Sequence, residues 1–385
     1  MTTEASAERR PEGTKRSVRA DHVGSLLRPD SVKQARATTL GPGELSSAAL
    51  ADVENAAIID AVAMQQEIGL PLVTDGEFRR SFWHYDFLDG LSGLDVVERP
   101  DETGVQFSGT TIRPFFPTIT DRLDFPDDHP MLDHFRYLAS VATATPKISI
   151  PGPSACHFRT DPADIAPAVY RDVEVLFADI AATYAKAVQA FYDAGCRHLQ
   201  LDDIFFAYLG DETQRAIKRE AGYDPDWLIT AYADMLEQAI ANRPVDMTIA
   251  MHLCRGNFQS TWVASGGYDP AADAIFNRTS VDVYLMEYDT DRAGGLEPLG
   301  LLPKGNKRVL PGFITTKTAE LEPLDELKAR FEEASRFVDL DQLGIAPQCG
   351  FASTEEGNLI TADDQRAKLE LVVACANDIW GGVEG

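Results

Sequence analysis

The chain has 385 residues, enough for one large α/β barrel or two ordinary domains and ample for a hydrophobic core. Hydrophobic residues make up 44% and charged residues 25%, and no apolar run is long enough to span a bilayer, so a soluble globular protein without a membrane partner is expected. The formal net charge of −26 argues against nucleic acid as a partner, because binding a phosphate backbone needs a basic footprint.

Five cysteines, Cys156, Cys196, Cys254, Cys349 and Cys375, are an odd, widely spaced set rather than a disulfide framework. Reduced thiols in a cytoplasmic protein are the expectation. Residues 1–17 are polar, and the Arg9-Arg10 pair is followed by no apolar stretch, so they read as a disordered tail rather than a signal peptide. One domain is expected over 18–385.

Taken in order, residues 18–25 read as a short strand ending at Gly24-Ser25, and apolar spacings of three and four predict a helix over 47–68. A second strand follows at 70–77. The stretch 93–146 is too long for a bare loop. It is expected to be an insertion carrying a hairpin and a short helix over the mouth of the fold. Strands are expected at 147–150, 198–203, 247–251, 281–287, 308–314 and 343–350. Helices are expected over 166–194, 225–242, 323–338 and 362–380, with a weak one at 271–276. Eight strands alternating with helices fit an α/β TIM (β/α)8 barrel with a long insertion after its second strand.

In such a barrel the chemistry collects at the C-terminal strand ends, which here carry Ser25, Glu77, Asp202, His252 with Cys254, Glu287 and Cys349. His252 and Cys254, two apart on a strand, point to one face. Alone, each of these residues has a bland reading, Cys349 as a small buried hydrophobe and Glu287 as a salt-bridge partner. Together His252, Cys254, Glu287 and Cys349 make a nitrogen, sulfur and oxygen set of the kind Zn2+ takes. Cys156, Cys196 and Cys375 read as packing residues and His198 as structural. His22 stands near a strand end on the mouth side, and His84 lies in the aromatic segment Phe82-Trp83-His84-Tyr85, where it either lines a pocket or packs.

His-Val-Gly-Ser at 22–25, Asp-Gly-Glu at 75–77, Pro-Gly-Pro at 151–153, Gln-Leu-Asp at 200–202, Met-His-Leu-Cys at 251–254, Met-Glu-Tyr at 286–288 and Gln-Cys-Gly at 348–350 span nearly the whole chain. In these pieces it resembles the cobalamin-independent methionine synthase family, specifically the zinc-bearing C-terminal barrel. The resemblance implies that His252, Cys254, Glu287 and Cys349 are zinc ligands and that Ser25, Glu77 and Asp202 hold the amino-acid part of a homocysteine-like thiol. Two departures stand out. The chain has no room for the family's additional N-terminal barrel, so a short single-barrel form is expected, and Lys317 stands where the family's seventh-strand loop has a histidine. Lys317 reads either as a solvated lysine or as a catalytic anion clamp or proton donor.

The expected function is therefore zinc-dependent alkyl transfer to a small-molecule thiol, with methyl transfer to homocysteine first. An epoxyalkane:coenzyme M transferase-like reaction comes second and a non-catalytic zinc protein third. A sulfonate substrate would sit poorly beside Glu77 and Asp202. The alkyl donor and the oligomeric state are not legible in the sequence.

Overall fold

The computed structural model describes residues 18–40 and 46–384, so the tail expected at 1–17 lies outside the described residues. Short aliphatic runs build a five-stranded parallel sheet in the order Arg308–Gly312, Val283–Glu287, Thr248–Leu253, His198–Asp202 and Ile148–Pro151. Apart from Arg308 every residue in these strands is buried, the pattern of a parallel sheet covered on both faces. The register sets Asp202 beside His252, His252 beside Leu285 and Glu287 beside Gly312. The polar residues that end three neighbouring strands therefore share one edge of the sheet.

The remaining expected strands are shorter than the sequence pattern suggests. Leu72–Val73 pairs in parallel with Thr145–Pro146, and the segments around 20 and 345 join through single parallel bridges, Ala20 to Ile345, Val309 to Leu343 and Ile314 to Pro347. Pro71, Pro146 and Pro347 remove ladder donors at these places. The result is a mixed α/β fold whose central parallel sheet is extended on both sides by brief contacts.

Helices start where a side chain caps them. Ser46 accepts from the Ala49 amide (3.2 Å) ahead of Ser47–Ile68, and Thr361 with Asp364 forms a capping box ahead of Ala362–Trp380. The helix expected over 166–194 begins only at Val173, because Asp172 caps it by accepting from the Glu174 amide (2.9 Å). The helix expected over 323–338 shrinks in the same way to Leu324–Ala334, the last one spans Ala362–Trp380 as expected, and Ala272–Asn277 is the short helix expected near 271–276. Between residues 92 and 141 the chain forms an antiparallel pair, Ser92–Glu98 with Phe115–Asp124, and the helix Pro130–Val141.

Most apolar side chains lie in one large core between sheet and helices, but Val23, Ala250, Val283, Leu285, Leu310 and Ala346 form a separate cluster drawn from five strand segments. Fully buried beneath the same strand ends is Lys147, whose Nζ donates to Asp21 Oδ1 (2.6 Å), Gln200 Oε1 (3.1 Å) and the His22 carbonyl. All five cysteines are buried and none is in a disulfide. Among the described residues no helix is long and apolar enough to cross a membrane.

Candidate active site and metal cluster

The strand Thr248–Leu253 delivers His252 and, one residue past its end, Cys254; Cys349 reaches them from the loop after the 343–347 segment. One ligand atom from each of these three residues lies within 4.8 Å of the others, and all three residues are buried. His252 Nδ1 stands 3.1 Å from the Leu285 carbonyl, which can only accept, so Nδ1 carries the proton and Nε2 is left with its lone pair. That Nε2 is buried with no hydrogen-bond partner among the described residues. An orphaned imidazole nitrogen beside two thiols, oriented through its other nitrogen, is a donor set that could hold a metal ion. The two thiols are strongly coupled. The Cys254 hydrogen bond, with His252 and Lys317 nearby, holds Cys349 well below the usual thiol range, and the same bond pushes Cys254 well above it.

Glu287 stands apart from these three. Its Oε2 accepts from the Arg255 amide (2.6 Å), Arg292 binds Oε1, and Lys317 Nζ is 3.5 Å away. Burial would raise its pKa, but Lys317, then Arg292 and Arg255, outweigh that and hold it at about 2. Arg255, fully buried, is locked by the carbonyls of Gly266 (2.8 Å), Ala293 (3.1 Å) and Glu287 (3.2 Å) and by Tyr268 Oη (3.0 Å). Lys317 is also buried, between Glu287 and Asp289 (3.4 Å). Burial lowers its pKa, yet these two carboxylates raise it above the usual value, so it is a fixed ammonium in a cage of acids.

Ser25, Glu77, Asp202, His252, Cys254 and Cys349 all line a single cleft. Gln200 Nε2 donates to Asp202 Oδ1 (2.7 Å) and to the Val23 carbonyl (2.6 Å), tying Asp202 to the first strand segment. Burial raises the pKa of Asp202, and burial together with Asp202 and Asp75 raises that of Glu77 to about 8 although Arg80 opposes it. Two glycines make room for these groups. Gly24 has φ 134°, and a Cβ there would stand 2.7 Å from Glu77 Oε1; a Cβ on Gly350 would stand 1.9 Å from Ser25 Oγ.

Of the residues singled out in the sequence, Lys317 is not part of the cleft lining, and His22 packs below it, its imidazole lowered to about 3 by burial and then by Lys147. His84 does line the cleft, together with Arg80, Trp83, Phe107, Ile112, Arg159 and Tyr208, which carried no motif. Arg255 lies directly after the motif at 251–254 and was passed over because an arginine beside a cysteine has no sequence signature of its own.

The family model described as cobalamin-independent synthase, catalytic domain, matches residues 20–377. The chain belongs to the cobalamin-independent synthase family. Its enzymes are methyltransferases. The Bacillus subtilis (strain 168) protein YxjH, itself uncharacterized, is 46% identical over 379 residues, covering 98% of this chain and 99% of its own. A Listeria monocytogenes structure, provisionally assigned as a vitamin-B12-independent methionine synthase, superimposes with a TM-score of 0.74 at 36% identity over 96% of this chain and 99% of that one. A B12-independent methionine synthase from Shewanella sp. W3-18-1, solved with selenomethionine, shares the fold with a TM-score of 0.68 at 21% identity, over 94% and 98%. Membership in the cobalamin-independent synthase family agrees with the resemblance drawn from the seven short motifs.

Proposed function

We propose that this protein transfers a methyl group to the sulfur of homocysteine at a zinc ion held by His252, Cys254 and Cys349, with Glu287 as the fourth, exchangeable donor. The observation that carries this reading is the convergence of the three buried ligand residues with Ser25, Glu77 and Asp202 in one cleft. Bound there, zinc would keep a substrate thiol ionised at neutral pH, although a free thiol loses its proton only near about 8.5. The protein's own residues do the rest. Glu77 and Asp202 accept the α-ammonium group, which also relieves the cost of two acids held close together in a buried cleft. Ser25 donates to the α-carboxylate. The Leu285 carbonyl keeps His252 in the tautomer that leaves Nε2 free for metal, and the Arg255 amide with Arg292 and Lys317 keeps Glu287 ionised.

In the same reading the parallel sheet and its bridged flanking segments close as a (β/α)8 barrel, one domain over 18–385. The 93–146 insertion roofs the mouth, which accounts for Phe107 and Ile112 in the cleft lining. Lys317 supports Glu287 from behind rather than meeting the donor. Arg159, a guanidinium in the cleft lining, favours a second reading in which the thiol carries a sulfonate, as in coenzyme M. Isothermal calorimetry on zinc-loaded protein separates the two. Homocysteine should bind and coenzyme M should not; the reverse result would reassign the substrate.

A further inference from the structure

Once the metal cluster and the amino-acid contacts are assigned, Tyr208 Oη, Asn257 Oδ1 and the imidazole of His84 are among the buried, unpartnered polar groups of the cleft, and among the described residues that line it only His84 leaves two such atoms. His84 is 1% exposed, and neither Nδ1 nor Nε2 has a hydrogen-bond partner among the described residues. Its ring is clamped between Trp83 and Tyr85, at centroid distances of 4.2 and 3.8 Å and interplanar angles of 30° and 35°. The imidazole therefore cannot turn to find a partner within the protein, and a buried polar group left unpaired is costly enough to need an explanation. The same lining carries Phe82, Phe107 and Ile112 beside the guanidinium groups of Arg80 and Arg159, and Phe82 and Ile112 belong to one packed cluster with Tyr85 and Phe258.

Charge decides what such a group can do. Burial, with Arg159 and Arg80 nearby, keeps His84 neutral, so it offers one N–H and one lone pair and is no proton source. Lys317, the other candidate for the donor side, has its ammonium beside Glu287 and Asp289 and outside the cleft lining. Glu77 and Asp202, at the amino-acid end, are ill suited to an extended conjugated ring.

We propose that His84 is a binding and specificity residue for the alkyl donor, meeting the polar edge of a flat, conjugated heterocycle through a hydrogen bond at one of its two ring nitrogens. The aromatic lining supplies the face contacts and His84 the edge contacts. This rests on reading the cleft as a thiol-methylation site.

The test uses the full-length zinc-loaded protein, with homocysteine and 5-methyltetrahydropteroyltriglutamate as probes, in calorimetry and steady-state kinetics. His84→Phe keeps the ring stack and removes both nitrogens. It should weaken the methylpteridine at least tenfold in Kd and KM, leave kcat within about threefold, and leave homocysteine affinity and zinc content unchanged; tenfold is about the worth of one hydrogen bond. His84→Gln, with one donor and one acceptor, should recover most of the loss, a rescue that a merely structural role would not show. Donor affinity within twofold of wild type in a folded His84→Phe protein overturns the assignment, as does an equal loss of homocysteine. Wild-type protein that binds homocysteine but no methylpteridine overturns the donor class and the role of His84 together. Wild-type protein that binds no homocysteine overturns the reading of the cleft itself.

Discussion

Lys147→Met removes a charge from the floor of the site, and its cost can be worked out from the contacts. Lys147 is fully buried, and its ammonium is 2.6 Å from Asp21 Oδ1, whose carboxyl is fully buried as well. Without the lysine, Asp21 keeps only the His22 amide (2.7 Å) on Oδ1, while Oδ2 has no partner. Burial already raises the pKa of Asp21, with Lys147 the main opposing influence, so the variant should hold this carboxyl neutral at pH 7. Neutralising at pH 7 an acid that titrates near 3.8 when unfolded costs about 1.4 kcal/mol per pH unit over roughly three units, so the deficit against the wild type, whose Asp21 is itself raised, is at most about 4 kcal/mol. Breaking buried pairs by removing one partner costs a similar ~3–5 kcal/mol. The sign with pH follows, because a raised folded pKa gives stability that is present below the unfolded value and lost as pH rises through the folded one. The deficit of Lys147→Met should therefore fall to at most about 2 kcal/mol at pH 5. Asp21→Asn in the same chain should restore most of the loss. Urea unfolding followed by tryptophan fluorescence at the two pH values reads both quantities. A deficit below about 1 kcal/mol, or one that does not change with pH, refutes the reasoning.

Cys254→Ser and Cys349→Ser should each lose stoichiometric zinc while circular dichroism stays that of the folded protein, and full metal content by atomic absorption in either variant would break the ligand assignment. Glu77→Gln should weaken homocysteine about tenfold or more and spare zinc, since it removes a charge-assisted contact to the α-ammonium group; an unchanged thiol affinity by calorimetry removes Glu77 from the substrate contacts. His157, bonded to Tyr232 Oη (2.7 Å), has its pKa lowered to about 3 by burial and then by Lys218, so its contribution is present above 6.5 and lost as pH falls. The stability of the wild type relative to His157→Phe should thus drop by about 2 kcal/mol between pH 7.5 and pH 5 in urea titrations, and a constant difference would show that the imidazole is not held neutral.

What could be read in advance follows from how local each signal is. The strand Thr248–Leu253 and the pair His252 and Cys254 at its end were legible because a buried parallel strand is a short aliphatic run and its end is marked by the first polar residues. Strand lengths at 70–77 and 343–350 were overread, since proline and glycine inside them shorten pairing without disturbing the hydrophobic pattern. Glu287 was legible as a strand-end acid but not as the centre of a cationic cage. Arg255, Arg292 and Lys317 reach it from three separate segments, and Arg292 lies in the glycine-flanked loop after the strand. His84 was legible only as a member of an aromatic stretch and Arg159 carried no signal at all, because a shared cleft is a property of the fold rather than of spacing.

The charges around the site are arranged by sign, and this arrangement bears on how a proton could leave. The cations Arg255, Arg292 and Lys317 gather on Glu287, while the acids Glu77 and Asp202 face the cleft with only Arg80 paired to Glu77 among them. An amino-acid thiol brings an ammonium to the acids and a sulfur to the cysteines, so its charge pattern is complementary to the empty cleft at both ends. Lys317 is poorly placed to donate a proton across this arrangement, because its ammonium sits between Glu287 and Asp289 and its loss would leave mainly Arg292 and Arg255 to offset these two buried carboxylates. Lys317→Ala should therefore show itself first at Glu287, as weaker zinc retention during chelator challenge. If zinc retention stays that of the wild type while methyl transfer slows at saturating donor and thiol, the lysine acts on the donor after all and the proposed support of Glu287 falls.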